Sequence, residues 1–249
     1  MKKNVVLKAV IGAALLGLSM APQSAQAHRR DFPFTYDWKQ PSKGEWEIES
    51  HSTYEGGENV FEQQVEVEYG VTDRLSLAPY VVYEREPGGS LRFHEWKLEG
   101  RYQLGKYKTG RILPGLYLEY AHERGEDGEK GAREIEGKLI LSRYDKNGGN
   151  LSFNLVGEKV LNHEDVGEED EWEKSYSFGY ARPLGKNKYG TRGGFEWLHN
   201  LETHQINAGP VFSFAPHDKF WITMGAAFPL NRRDEGNGTQ LRLLAEYEF

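Results

Sequence analysis

The sequence contains no cysteine. A disulfide framework, a thiolate metal site and a cysteine nucleophile are therefore all excluded. Long apolar runs are also missing. Beyond an N-terminal stretch, nothing approaches the ~18 consecutive apolar residues of a membrane helix, and mean hydropathy is −0.71. A helical membrane protein is excluded on that ground. A β-barrel is not, because only alternate residues of its strands meet lipid. Basic residues are the minority charge: 31 Lys and Arg stand against 38 Asp and Glu. That balance argues against nucleic-acid binding, which draws on basic charge to meet phosphates. No Gly-rich loop opens a helix that would cradle phosphate.

What is present begins with an export leader. Lys2 and Lys3 precede a mostly apolar run from Val5 to Met20, and Ala25-Gln26-Ala27 gives a small-x-small cleavage pattern. Residues 1–27 read as a signal peptide cleaved after Ala27, which leaves 222 residues starting at His28. Loss of Lys2, Lys3 and Lys8 takes the net charge from −7 to −10. Residues 28–43, with Pro33, Pro41 and several aromatics, read as an irregular periplasmic N-terminal segment. No composition break divides 44–249, which read as one domain.

Period-2 stretches separated by turn-rich clusters fill that domain. Twelve strands are predicted, at 44–54, 60–70, 74–84, 91–104, 111–122, 132–143, 151–161, 172–184, 190–200, 204–215, 220–230 and 239–249. Each is near the ~9–11 residues with which a tilted strand crosses a bilayer. The first sets Trp46, Ile48 and Tyr54 against Glu47, Glu49 and His51. The second sets Phe61, Val65, Val67 and Tyr69 against Glu62, Gln64, Glu66 and Glu68. The fourth sets Trp96, Leu98, Gly100 and Tyr102 against Glu95, Lys97, Glu99 and Arg101. The sixth sets Ile135, Leu139 and Leu141 against Glu134, Glu136 and Lys138. The ninth to eleventh, rich in Gly and aromatics, alternate less cleanly.

A water-soluble sandwich alternates too. Three features favour an all-β, twelve-stranded antiparallel transmembrane β-barrel of the outer-membrane type. The strand number is even, and aromatics recur near strand ends as interfacial girdles do. The links also alternate between short, lysine-bearing turns and longer acidic loops at 123–131 and 162–171. The chain closes on a strand whose apolar members, 241, 243, 245, 247 and 249, share one face and end in Phe249. This terminal aromatic strand resembles that of outer-membrane β-barrels, and the resemblance implies export to the cell outer membrane, contact with its lipid, and reading by the barrel-assembly machinery.

The stretch Tyr69-Gly70-Val71-Thr72-Asp73-Arg74-Leu75-Ser76-Leu77 resembles a strand-turn-strand of the phenol-degradation MetA-like group of outer-membrane barrels, whose members are called transporters. Pro41-Ser42-Lys43-Gly44-Glu45-Trp46-Glu47-Ile48-Glu49 resembles that group's opening strand. The resemblance implies fold and outer-membrane location, and transport more loosely. It brings no catalytic or ligand residues with it.

The polar residues do not assemble a catalytic constellation. His199-Asn200 and His204 have no serine partner at a matching strand position, and Asp165 with His163 falls in a charged loop. The eight histidines are scattered without metal spacing, and the acidic run 162–171 suits loose Ca²⁺ binding no better than a solvated loop. No enzyme activity, cofactor or metal is expected. The lumen is the remaining candidate. Its expected lining is Glu47, Glu49, Glu66, Glu68, Lys97, Glu99, Arg101, Glu136, Lys138, Arg242 and Glu246, with Arg242 answering the carboxylates of the first strand. The function expected is a porin-like channel or transporter for small solutes, with an acidic, cation-favouring lumen. The alternative is a non-conducting structural or adhesive barrel, or an envelope-complex partner. Pattern alone leaves open whether long side chains stop the pore and whether residues 28–43 enter it.

Overall fold

The computed structural model describes residues 29–125, 130–167, 171–185, 190–231 and 238–249. The expected leader lies outside the described residues, as do parts of the expected loops at 123–131 and 162–171 and most of the turn at 185–188. Twelve strands follow in order: β1 (Trp46–Glu55), β2 (Val60–Thr72), β3 (Leu75–Arg85), β4 (Arg92–Gln103), β5 (Leu113–Glu123), β6 (Arg133–Tyr144), β7 (Asn150–Val160), β8 (Glu173–Pro183), β9 (Arg192–Asn200), β10 (Ile206–His217), β11 (Phe220–Pro229) and β12 (Gln240–Glu248). Every strand end lies within two residues of its expected position. Each strand pairs antiparallel with its sequence neighbour, and β12 pairs β1 to close the barrel. Among the described residues no helix is long and apolar enough to cross a membrane. A single helical turn, α1 (His163–Val166), interrupts the β7–β8 link, where no helix was expected.

Burial separates a membrane barrel from a soluble sandwich. Leu118 is 57% exposed and Glu49 only 1%. Most strands turn an apolar face out and a polar or charged face in, the reverse of a water-soluble protein. Trp46 lies opposite Tyr69 with ring centroids 4.3 Å apart, and Tyr247 meets Phe249 at 5.2 Å. These rings belong to a girdle at the end of the barrel where the chain terminates. Trp96 with Tyr120, and Tyr83 with Phe93, mark the far end. The Phe249 N–H donates to the Trp46 carbonyl at 3.0 Å, so the last residue takes part in closure.

The β4–β5 link, residues 104–112, is longer than the short turn expected there. Its Tyr107 ring reaches Trp38 and Tyr144, at centroid distances of 6.2 and 5.6 Å. The length serves to cover chain inside the barrel. The apolar clusters of the interior combine residues of the N-terminal segment with inward residues of the wall: Phe32 with Ala181 and Val211, Tyr36 with Tyr117 and Ile140, and Trp38 with Leu113 and Tyr144.

Candidate functional site

Ser42 and Lys43 are exposed at the end of the barrel, and residues 29–41 lie within it. Their conformation is irregular, so their backbone has no strand partner, yet buried N–H and C=O groups must be paired. Inward side chains of the wall do the pairing. Glu196 accepts from the N–H groups of Phe34 and Thr35 at 3.1 and 2.6 Å. Asn154 binds Tyr36 reciprocally: its oxygen accepts the Tyr36 N–H at 2.7 Å, and its amide donates to the Tyr36 carbonyl at 2.9 Å. A side-chain amide thus presents the edge that a neighbouring strand would. Ser142 accepts from Trp38 N–H at 2.9 Å, and Gln103 donates to the Trp38 carbonyl at 3.1 Å. Trp221 and Thr223 donate to the Arg30 carbonyl at 2.8 and 2.6 Å. Asn150 donates to both Asp31 and Asp37, and Arg192 is ion-paired with Asp31.

Two glycines of the wall make room for the segment. A Cβ at Gly179 would lie 2.7 Å from the Phe32 ring, and one at Gly225 would lie 2.6 Å from Pro33 Cγ. Real side-chain carbons do not approach so closely, so these positions accept the segment because they lack a side chain.

Tyr36 sits at the centre of the arrangement. Arg30, Lys138 and Arg101 lie over its ring at 4.2, 4.3 and 5.3 Å, and its hydroxyl donates to Glu99 at 3.3 Å. Each cation also meets an inward carboxylate: Arg30 with Glu49 at 2.9 Å, Lys138 with Glu136 at 2.8 Å, and Arg101 with Glu68 at 3.6 Å. An electron-rich ring between three cations gains from each, by about 0.5–2 kcal/mol per contact.

The structure places Glu47, Glu49, Glu66, Glu68, Glu99, Arg101 and Glu246 on the inner wall with little exposure. Lys97, Glu136 and Lys138 are inward and somewhat more open. Lys97 bridges Glu95 at 3.1 Å and Glu119 at 3.3 Å, and Glu119 also accepts from the Tyr80 and Tyr117 hydroxyls. Arg242 reaches strand one at a hydroxyl and also meets the segment. It donates to Thr53 Oγ1 at 2.8 Å and the Pro33 carbonyl at 3.3 Å, and lies over the Phe34 ring. Arg30, from the segment, meets strand-one Glu49, as does His51. The alternation could not supply Arg30, because it belongs to no strand. His199 accompanies the Tyr176 hydroxyl at 3.0 Å rather than a serine.

Two cavities flank the segment. One of about 840 Å³ opens at the end where the chain terminates, lined by Arg29, Asp31, Lys39, Gln40, Arg74 and Arg192 among others. The second, about 420 Å³, lies toward the far end. Its lining includes Phe34, Lys138, Asn154, Ser177, Asn207 and Arg242. The segment partitions the two.

A closed antiparallel barrel with lipid-suited residues outside and paired charges inside is the architecture of a bacterial outer-membrane β-barrel. Solved structures of such channels share this fold. An outer-membrane channel from Pseudomonas putida F1 superposes with a TM-score of 0.60 at 10% identity, covering 86% of this chain and 98% of that one. The KdgM porin in complex with disordered oligogalacturonate gives 0.57 at 10% identity, over 82% and 99%. The NanC porin gives 0.52 at 8% identity, over 81% and 98%. No protein-family model matches the sequence, and no curated protein does.

Proposed function

We propose that the protein is a channel of the cell outer membrane for small solutes, closed at rest by its own N-terminal segment. The observation that carries this reading is the partition of the lumen by residues 29–41. The segment is attached to the wall by side-chain hydrogen bonds and packing, whereas the wall closes through its own ladder. An element held in this way can leave without unfolding the barrel.

In this reading the chain is exported, with cleavage after Ala27. Its terminal strand, ending in Phe249, engages the barrel-assembly machinery, and the outward face meets outer-membrane lipid. Both termini face the periplasm, so the larger cavity is periplasmic and the smaller one faces outward. The likeness to the phenol-degradation MetA-like group belongs to the same proposal. The KdgM neighbour holds an oligogalacturonate, an anionic sugar chain. The inner wall here carries Glu62, Glu84, Glu95, Glu123, Glu134 and Glu158 toward the far end. Such a wall favours cations and neutral polar solutes over polyanions.

The many hydrogen bonds between segment and wall support a second reading, a permanently stopped barrel with a structural or adhesive role. Deletion of residues 30–40 separates the two. In planar bilayers the shortened protein conducts with a larger unit conductance than the full chain if the barrel is a channel. A folded, shortened barrel that does not conduct removes the channel reading.

A further inference from the structure

The far half of the lumen is not uniform. β2 to β7 carry glutamates inward there. On β8, β9, β10 and β12 the smaller cavity is instead lined by Ser175, Asn200, Asn207 and Gln240, which are polar and uncharged. Ser175 and Asn200 lie opposite each other across the β8–β9 ladder. Phe34 of the segment, Val156 and Leu198 add apolar surface. The volume of about 420 Å³ falls within the ~300–1,000 Å³ of small-molecule sites. Apolar surface with a few converging polar groups is their usual composition.

The charged groups of the lining already have partners. Glu136 and Lys138 bridge each other at 2.8 Å. Arg242 donates to Thr53 Oγ1 and the Pro33 carbonyl and lies over the Phe34 ring. Two of the neutral groups are also committed. Asn154 holds the Tyr36 backbone, and Ser177 donates to Asn154 at 3.4 Å. Asn207 differs from them. It is 9% exposed, and no donor among the described residues meets its Oδ1. A buried amide oxygen without a donor is costly, and the cavity that Asn207 borders is the place from which a donor can come.

An amide both donates and accepts, and so does a hydroxyl group. A saturated ring bearing several hydroxyls therefore meets both parts of this lining. Its hydroxyls suit the amides and Ser175, and its C–H bonds suit Phe34 and Leu198. We propose that the smaller cavity binds a neutral sugar of one or two rings, held by Ser175, Asn207 and Gln240. A carboxylate on the sugar would be repelled by Glu134 and Glu158 on β6 and β7. The place of this site as the first stop for an entering solute rests on the channel reading. Binding itself does not.

Saturation-transfer difference NMR of the full-length protein tests the site, in a polyoxyethylene detergent that carries no sugar headgroup. The probes are glucose, galactose, maltose and lactose, with glucuronate as the charged counterpart. At least one neutral sugar is expected to bind with a millimolar or lower dissociation constant, and glucuronate at least tenfold more weakly. Asn207→Leu, close in shape, removes the unpaired amide. It weakens binding at least tenfold without lowering the thermal unfolding midpoint, whereas loss of a structural hydrogen bond would lower it. Gln240→Ala also weakens binding, and Asn147→Ala, in the exposed β6–β7 turn, leaves it unchanged. Failure of all four neutral sugars to bind overturns the proposal. So does glucuronate binding as tightly as they do, or unchanged affinity in both wall variants. Binding is read in the full chain without conductance, so failure here and failure of the shortened barrel to conduct are separate results.

Discussion

Tyr36 concentrates the interactions that hold the segment. Its ring meets three cations, its backbone meets Asn154 and its hydroxyl meets Glu99. Tyr36→Ala removes the ring and leaves Arg30, Lys138 and Arg101 facing one another across a gap. Truncation of a buried aromatic costs about 3–5 kcal/mol. Here the loss falls on docking of the segment rather than on the strand ladder. The expected outcome is a barrel that still assembles, with an open probability raised at least tenfold in single-channel recording. Gly179→Val acts from the other side of the interface. Its branched side chain needs the space of the Phe32 ring, so the variant displaces the segment and conducts, while Gly137→Val, on the outward face, does not. The inner wall was readable in part at this scale. Glu49 and Arg101 follow from alternation, because a charge at every second position has one sheltered face to occupy. Gly179 carried no such signal, since a glycine in a strand does not reveal what approaches it.

The strands were legible as elements because period 2 is a direct consequence of a sheet with two unlike environments. β10 and β11 alternate poorly because they pack against Phe32 and Pro33, and so carry Val211 and Gly225 inward in place of charged residues. The N-terminal segment was not legible. Proline breaks its pattern, and its partners are single side chains from many strands, which no local window contains. One trace was present: Phe32, Phe34, Tyr36 and Trp38 recur at every second residue, an unusual aromatic density for a wet linker. Links obey more local rules. In the β6–β7 turn, the N–H groups of Gly149 and Asn147 donate to Asp145 at 2.9 and 2.7 Å, and they hold its carboxyl below the usual carboxylate range. A depressed folded pKa contributes stability that is present above the unfolded value of ~3.9 and is lost as pH falls through the folded one. Exchange of the Gly149 amide should therefore quicken, relative to its intrinsic rate, only in strong acid. Asp145→Ala should show the quick exchange at every pH.

For the whole molecule, the distribution of charge matters more than its total. In the far half of the barrel, inward carboxylates stand opposite one another on neighbouring strands: Glu62 with Glu84, Glu95 with Glu123, and Glu136 with Glu158. Lys97, Lys138 and His94 answer part of this charge through their contacts with Glu95, Glu136 and Glu123. Under the channel reading, a permeating ion passes this ring before it reaches the segment. Fixed charges act over about a Debye length, ~10 Å at 0.1 M salt and ~3 Å at 1 M. Selectivity from them is therefore strong in dilute salt and weak in concentrated salt. Selectivity from a narrow, dehydrated filter would not fade in that way. In the barrel lacking residues 30–40, a tenfold KCl gradient centred near 0.1 M should give a reversal potential on the cation side. Raising both compartments tenfold at the same ratio should bring it toward zero. Replacing Glu62, Glu84, Glu123 and Glu134 by glutamine should bring it toward zero already in dilute salt. An anion-side potential in the unsubstituted shortened barrel would instead give control of permeation to Arg192, Arg242 and the basic residues of the larger cavity.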